Sequence, residues 1–118
     1  MESRKTFFLV AGLVVVAGVI VACGPAFVAP QVSNELYDIA RSKWPAATRE
    51  SLDKGHDLFV ASCGKGGFCH KLPTPGSRVV GQWHSIILRM APKAQLNESQ
   101  SEAVLHYILA VRDLPPVN

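Results

Sequence analysis

Cys63-Gly64-Lys65-Gly66-Gly67-Phe68-Cys69-His70 is the stretch on which the rest of the sequence turns. Two thiols enclose a glycine-rich loop, and an imidazole follows the second thiol directly. An exported pair of cysteines becomes a disulfide, a metal site or a cofactor attachment. As a disulfide, Cys63 and Cys69 would close one short loop. With His70 and His84 they could form a tetrahedral zinc site, although the spacing is not that of a zinc finger. In the third use, the two thiols add to the vinyl groups of a haem and the adjacent histidine ligates its iron. That chemistry needs the histidine next to the second thiol, so that the ring reaches iron while the cysteine is bonded at the porphyrin rim. Cys69-His70 meets this need. The usual motif has two residues between the cysteines, whereas Gly64–Phe68 separate them here. Glycine accepts positive φ freely, so Gly64, Gly66 and Gly67 allow the longer loop to bulge.

Working outward toward the N-terminus, Arg4 and Lys5 form a positive n-region before an apolar run. No charged residue occurs between Lys5 and Glu35. The run reaches Ile20-Val21-Ala22-Cys23-Gly24, which resembles the lipobox of a bacterial lipoprotein, with Cys23 as the lipid-bearing residue. The rival reading is an uncleaved transmembrane helix extending toward Val28, long enough for the ~20 residues of a span. Pro25 and Pro30 count against that extension. Both readings place residues beyond the run outside the cytoplasm, because the positive charge stays inside. With Cys23 assigned to a lipid, the chain's three cysteines leave one pair. The expected organisation is a signal or anchor at 1–23, a linker with a possible short helix at 24–45, and a folded domain at 46–114.

The remaining pattern predicts an all-α domain. In 34–43, Leu36, Ile39 and Ala40 share a helical face, and Trp44-Pro45 stops it. Residues 48–62 suit a helix with Thr48 as N-cap and Leu52, Gly55 and Phe59 on one stripe. Residues 63–81, with Pro73, Pro75 and repeated glycines, read as loop. A short helix over 82–90 carries Trp83, Ile86, Ile87 and Met90 and ends before Pro92. Asn97 and Gln100 form a capping-box pair, and Val104, Tyr107, Ile108 and Val111 make the stripe of a last helix. No strand is expected. A domain this small needs a staple beyond its own core.

Residues 52–112 resemble the small bacterial monohaem cytochromes c. The resemblance rests on Gly55-His56-Asp57-Leu58-Phe59 before Cys63, on Cys69-His70-Lys71-Leu72-Pro73-Thr74-Pro75, on Trp83 followed by Met90, and on Leu96–Gln100 with Tyr107-Ile108. It implies about three core helices around a haem c. The first and last would cross where Gly55 lets Tyr107 pack close. Cys63 and Cys69 would be the thioether positions, and His70 and Met90 the axial ligands, with His84 in reserve. Trp83 is expected in the core, with its indole N–H a possible donor to a haem propionate. Pro73 or Pro75 is expected to offer the carbonyl that accepts the His70 Nδ1 proton. His56, His84 and His106 are expected at the surface or its boundary. The five-residue separation of the cysteines departs from the family pattern.

Net charge is +3, too mild for a nucleic-acid binder. His/Met ligation fills both axial positions, so the expected function is electron transfer rather than enzymatic catalysis. The expected partner is a membrane-bound redox complex at the periplasmic face of a bacterial inner membrane. The alternative is a haem-less, disulfide-stapled accessory subunit of a membrane complex.

Overall fold

Each helix of this chain begins where a nearby side chain takes up an N–H that its first turn leaves unpaired. The computed structural model describes residues 27–63 and 71–116. Helix α1 (Asn34–Lys43) is capped by Ser33, whose hydroxyl accepts from the Leu36 N–H. Helix α2 (Arg49–Leu58) opens on a reciprocal pair: Ser51 N donates to Thr48 Oγ1 at 3.0 Å and Thr48 N to Ser51 Oγ at 3.1 Å. Helix α3 (Val80–Met90) receives half of such a box, with Gln82 Oε1 accepting from Val79 N, because valine has no oxygen to return. Helix α4 (Glu98–Arg112) carries the full Asn97/Gln100 box expected from the sequence. No strand occurs among the described residues, so the fold is all-α.

The core forms where α2 and α4 cross, the most extensive helix contact in the molecule. A Cβ on Gly55 would fall well inside van der Waals contact distance of the Ala103 carbonyl oxygen and 3.0 Å from Tyr107 Cβ. Glycine is therefore required by contact with backbone, which cannot step aside. Leu52 on α2, Phe59 just past its end, and Val104, Tyr107 and Ile108 on α4 are fully buried around the crossing. Each such side chain contributes about 1.5–3 kcal/mol through burial. Helix α4 buries more than its expected stripe. Leu109 and Ala110 are also buried, while Val111 is only half-buried. The reason is that α1, α2 and α3 all pack on α4.

The segment expected as a linker with a possible short helix over 24–45 forms that helix as α1, and its described part packs on the domain. Ala29, Leu36 and Ala40 belong to the core cluster, with Phe27, Val32, Tyr37 and Trp44 packed against it. Tyr107 Oη donates to Pro30 O at 2.6 Å. Arg49 donates to Val32 O and Asn34 Oδ1. Trp44 stacks on His106 with centroids 4.0 Å apart, and Lys43 pairs with Asp113. Sequence composition made 24–32 look like linker because Ala, Pro and Val form no periodic face there. Its attachment runs instead through backbone carbonyls and one small buried residue. His56 departs from expectation as well, being buried at 8% exposure. It lies edge-on to Tyr107, and its Nδ1 is 2.8 Å from Asp57 Oδ1. His84 is exposed and His106 half-buried, as expected.

Three outcomes follow for stability. Gly55→Ala lowers the denaturant midpoint by the ~1–3 kcal/mol or more of an overpacked core. Tyr107→Phe leaves the Pro30 carbonyl unpartnered and costs about 1–3 kcal/mol in the same assay. Lys43 and, more weakly, Arg112 hold the Asp113 carboxyl below its ordinary value of 3.8. A depressed carboxylate contributes stability above its unfolded value and loses it as pH falls through the folded one. The protection factor of the Trp44 amide, its exchange rate relative to that of an unstructured peptide at the same pH, should therefore fall below about pH 4 in native protein and show no such step in Asp113→Asn.

Candidate functional site

Helix α2 widens at its end into a π-helical turn over Phe59–Cys63. Such turns are rare and recur at functional sites. This one points Phe59 fully into the core and leaves Cys63 half-buried at the lip of a cavity. The expected single helix over 48–62 is thus divided at Leu58.

The cavity has a volume of about 480 Å³, within the ~300–1,000 Å³ typical of small-molecule sites. Its inner wall is Phe59, Trp83, Ile86, Ile87 and Ile108. Helix α3 supplies most of this wall because Trp83, Ile86, Ile87 and Met90 recur at helical spacing. Trp83 and Ile87 are buried, whereas Met90, the last residue of α3, is 43% exposed. Cys63, Ser62 and Pro73 also line the cavity, as do the cations Lys71, Arg78 and Arg89. Burial pushes the Cys63 thiol above its ordinary value, which keeps it protonated and a poor nucleophile at neutral pH.

The structure brings two of the expected site residues, Cys63 and Met90, to one cavity. Cys23, Cys69 and His70 lie outside the described residues, so the disulfide, zinc and haem readings of the pair end at Cys63. His84 does not line the cavity, which leaves Met90 as the ligand candidate there. Among the described residues, no group of three or more His, Cys, Asp or Glu is placed to hold a metal ion. The Trp83 indole corrects its expected partner: Nε1 donates to Pro75 O at 2.8 Å in a buried bond. It ties the proline loop to α3 instead of waiting for a propionate. Pro75 is buried, and Pro73 is the proline that lines the cavity.

Charge is the feature that the motif reasoning passed over. From Leu58 to Asn97 there is no Asp or Glu, yet the run holds Lys65, Lys71, Arg78, Arg89 and Lys93. The acids of the described residues all lie before or after it, so the cavity is lined by cations and by no carboxylate. A tally of charge along the sequence could have found this. Val79, Val80 and Leu88 are exposed on the neighbouring surface of α3. A second cavity of about 490 Å³ lies between the end of α1, α2 and α4, with Trp44, His106, Lys43 and Lys54 in its lining. Neither a thiol nor a thioether borders it. Burial holds His106 below its ordinary value, with His84 adding to the shift and Glu102 opposing it.

An apolar wall, a thiol and a thioether at the edge, and cations beside them suit a flat apolar group that bears carboxylates. The donor types present are compatible with that class of group, and His70, the expected iron ligand, lies outside the described residues. No family model matches the chain, and neither a curated protein nor a solved structure does. Among the described residues, no helix is long and apolar enough to cross a membrane.

Trp83→Phe keeps an aromatic side chain but removes the donor to Pro75 together with part of the buried ring system. The buried carbonyl is then left unpaired, so the variant loses about 1–3 kcal/mol in chemical denaturation.

Proposed function

We propose that the chain is a membrane-tethered monohaem cytochrome c, anchored at the periplasmic face of a bacterial inner membrane, that exchanges single electrons with a membrane redox complex. The observation that carries the reading is the sharing of one apolar cavity by Cys63 and Met90, with Lys71, Arg78 and Arg89 around it. Cys63 and Cys69 are the thioether positions, His70 and Met90 the axial ligands, and Cys23 the lipid site, or else part of a retained anchor helix. Haem c, when bound, supplies a one-electron couple whose potential is raised by His/Met ligation.

The chain's own residues set the conditions for that couple. Phe59, Trp83, Ile87 and Ile108 keep water from the inner side of the site. Lys71, Arg78 and Arg89 supply charge-assisted donors for carboxylates. The Trp83–Pro75 bond fixes the proline-bearing segment that follows His70 in the sequence. With His70 and Met90 both engaged, no coordination position is left for substrate, so the protein is a carrier and not an enzyme. The acid-free run makes the cavity end attractive to an acidic partner and steers its approach.

The deciding experiment is a pyridine haemochrome spectrum of protein expressed with a haem-attachment system, before and after acid–acetone extraction. Haem that stays with the polypeptide supports the proposal, and the band position reports whether one or both cysteines are bonded. A colourless protein overturns it and leaves the disulfide-stapled accessory subunit. In the coloured protein, Met90→Ala abolishes the methionine–iron absorption band and lowers the reduction potential, while Arg78→Gln with Arg89→Gln weakens the salt dependence of electron exchange.

A further inference from the structure

The free chain between anchor and domain is much shorter than the sequence suggests. A linker over 24–45 with only its short helix folded, at about 3.4 Å per extended and about 1.5 Å per helical residue, would let the domain swing through roughly 55 Å. The structure takes most of that length away. Ala29 is buried, and Pro30 is held by the Tyr107 hydroxyl. Val32 and Asn34 accept from Arg49. Leu36 and Ala40 have no exposed surface, and Trp44 is stacked on His106. Residues 29–44 are therefore a strap across α2 and α4, fastened at both ends and in the middle. From Cys23 to Ala29 the fully extended chain reaches about 20 Å.

We propose that this strap is a short leash that keeps the domain at the bilayer surface and confines its redox partner to the same membrane. The inference rests on the N-terminal anchoring proposed above and holds for either kind of anchor. A lipid on Cys23 leaves about 20 Å of reach, and an apolar helix running toward Val28 leaves less. A partner so confined is an integral membrane protein whose docking surface lies close to the headgroups. A soluble carrier would gain nothing from the leash. A membrane partner does gain, because a short tether raises effective concentration, which then falls roughly as the −3/2 power of tether length.

The test uses the full anchored chain on a supported bilayer of phosphatidylethanolamine and phosphatidylglycerol. Neutron reflectometry measures the water gap between the headgroups and the protein layer. The native chain is expected to show a gap no larger than about 20 Å. A twenty-residue Gly-Ser insertion between Pro25 and Ala26 should widen it. Leu36→Glu, which expels α1, should widen it too, and the insertion variant decides the matter if that variant does not fold. A native gap well beyond this reach, or one that the insertion leaves unchanged, overturns the leash. Protein that never associates with the bilayer overturns the anchoring and the leash with it, a result distinct from a bound layer with a wide gap. In native membrane vesicles the insertion should slow electron exchange about tenfold. An unchanged or faster rate places the partner outside the leash's reach and overturns the confinement. The reflectometry readout is independent of haem.

Discussion

The close approach of α2 and α4 at Gly55 is the constraint on which the other contacts depend. With a hydrogen in place of a side chain, the Ala103 carbonyl and Tyr107 Cβ can lie against the α2 backbone. That contact sets the depth at which Tyr107 enters the core, and Tyr107 then serves two neighbours. Its ring meets Phe59 at 5.9 Å between centroids, beside the cavity. Its hydroxyl reaches outward to Pro30. Burial pushes the phenol well above its ordinary value, so the group remains a donor throughout the neutral range. The crossing therefore fixes the inner wall of the site and the attachment of the N-terminal strap through a single side chain.

The strap and the cavity are different answers to the same shortage of core. A small domain of three helices has little apolar surface to bury. Helix α1 adds Leu36 and Ala40 to the cluster and covers part of α4 that α2 and α3 leave open. This explains why α4 is buried beyond a single stripe. The polar fastenings on the strap are modest singly. Exposed pairs such as Lys43–Asp113 contribute about 0–1 kcal/mol, so burial of Leu36 and the Tyr107 bond hold it more than charge does.

Much of this was legible in the sequence. The N-caps Thr48 and Asn97 and the helix breaks at Pro45 and Pro92 follow from local chemistry that each residue carries with it, whereas the Gly55–Tyr107 crossing was expected only from the family resemblance. What could not be read were the features that depend on tertiary packing. Nothing in 27–33 has a period, so its docking through carbonyl oxygens leaves no pattern. His56 looks like any polar residue until Tyr107 and the strap cover it. The π turn at 59–63 has no sequence signature of its own. Trp83 was placed correctly in the core, but its hydrogen-bond partner depended on how the proline loop folds back. Of the site, Cys63 and Met90 line one cavity, a pairing that only the family resemblance had suggested, whereas Arg78 and Arg89 became visible only with the cavity drawn around them.

The cavity also weighs between the two functional readings. A disulfide between Cys63 and Cys69 would constrain the unfolded chain, typically by 2–4 kcal/mol, but would fill no space. The inner wall is made of Phe59, Trp83, Ile87 and Ile108, which are core residues of the domain itself. The cavity is open, and its partly exposed members are Cys63, Ile86 and Met90 at the edge, beside the basic Lys71, Arg78 and Arg89 and with no carboxylate among the described lining residues. The haem reading proposed above would cover those edge residues with an apolar group whose carboxylates suit a basic rim. A disulfide would leave them as they stand, so the two readings differ in whether Met90 and Ile86 become buried.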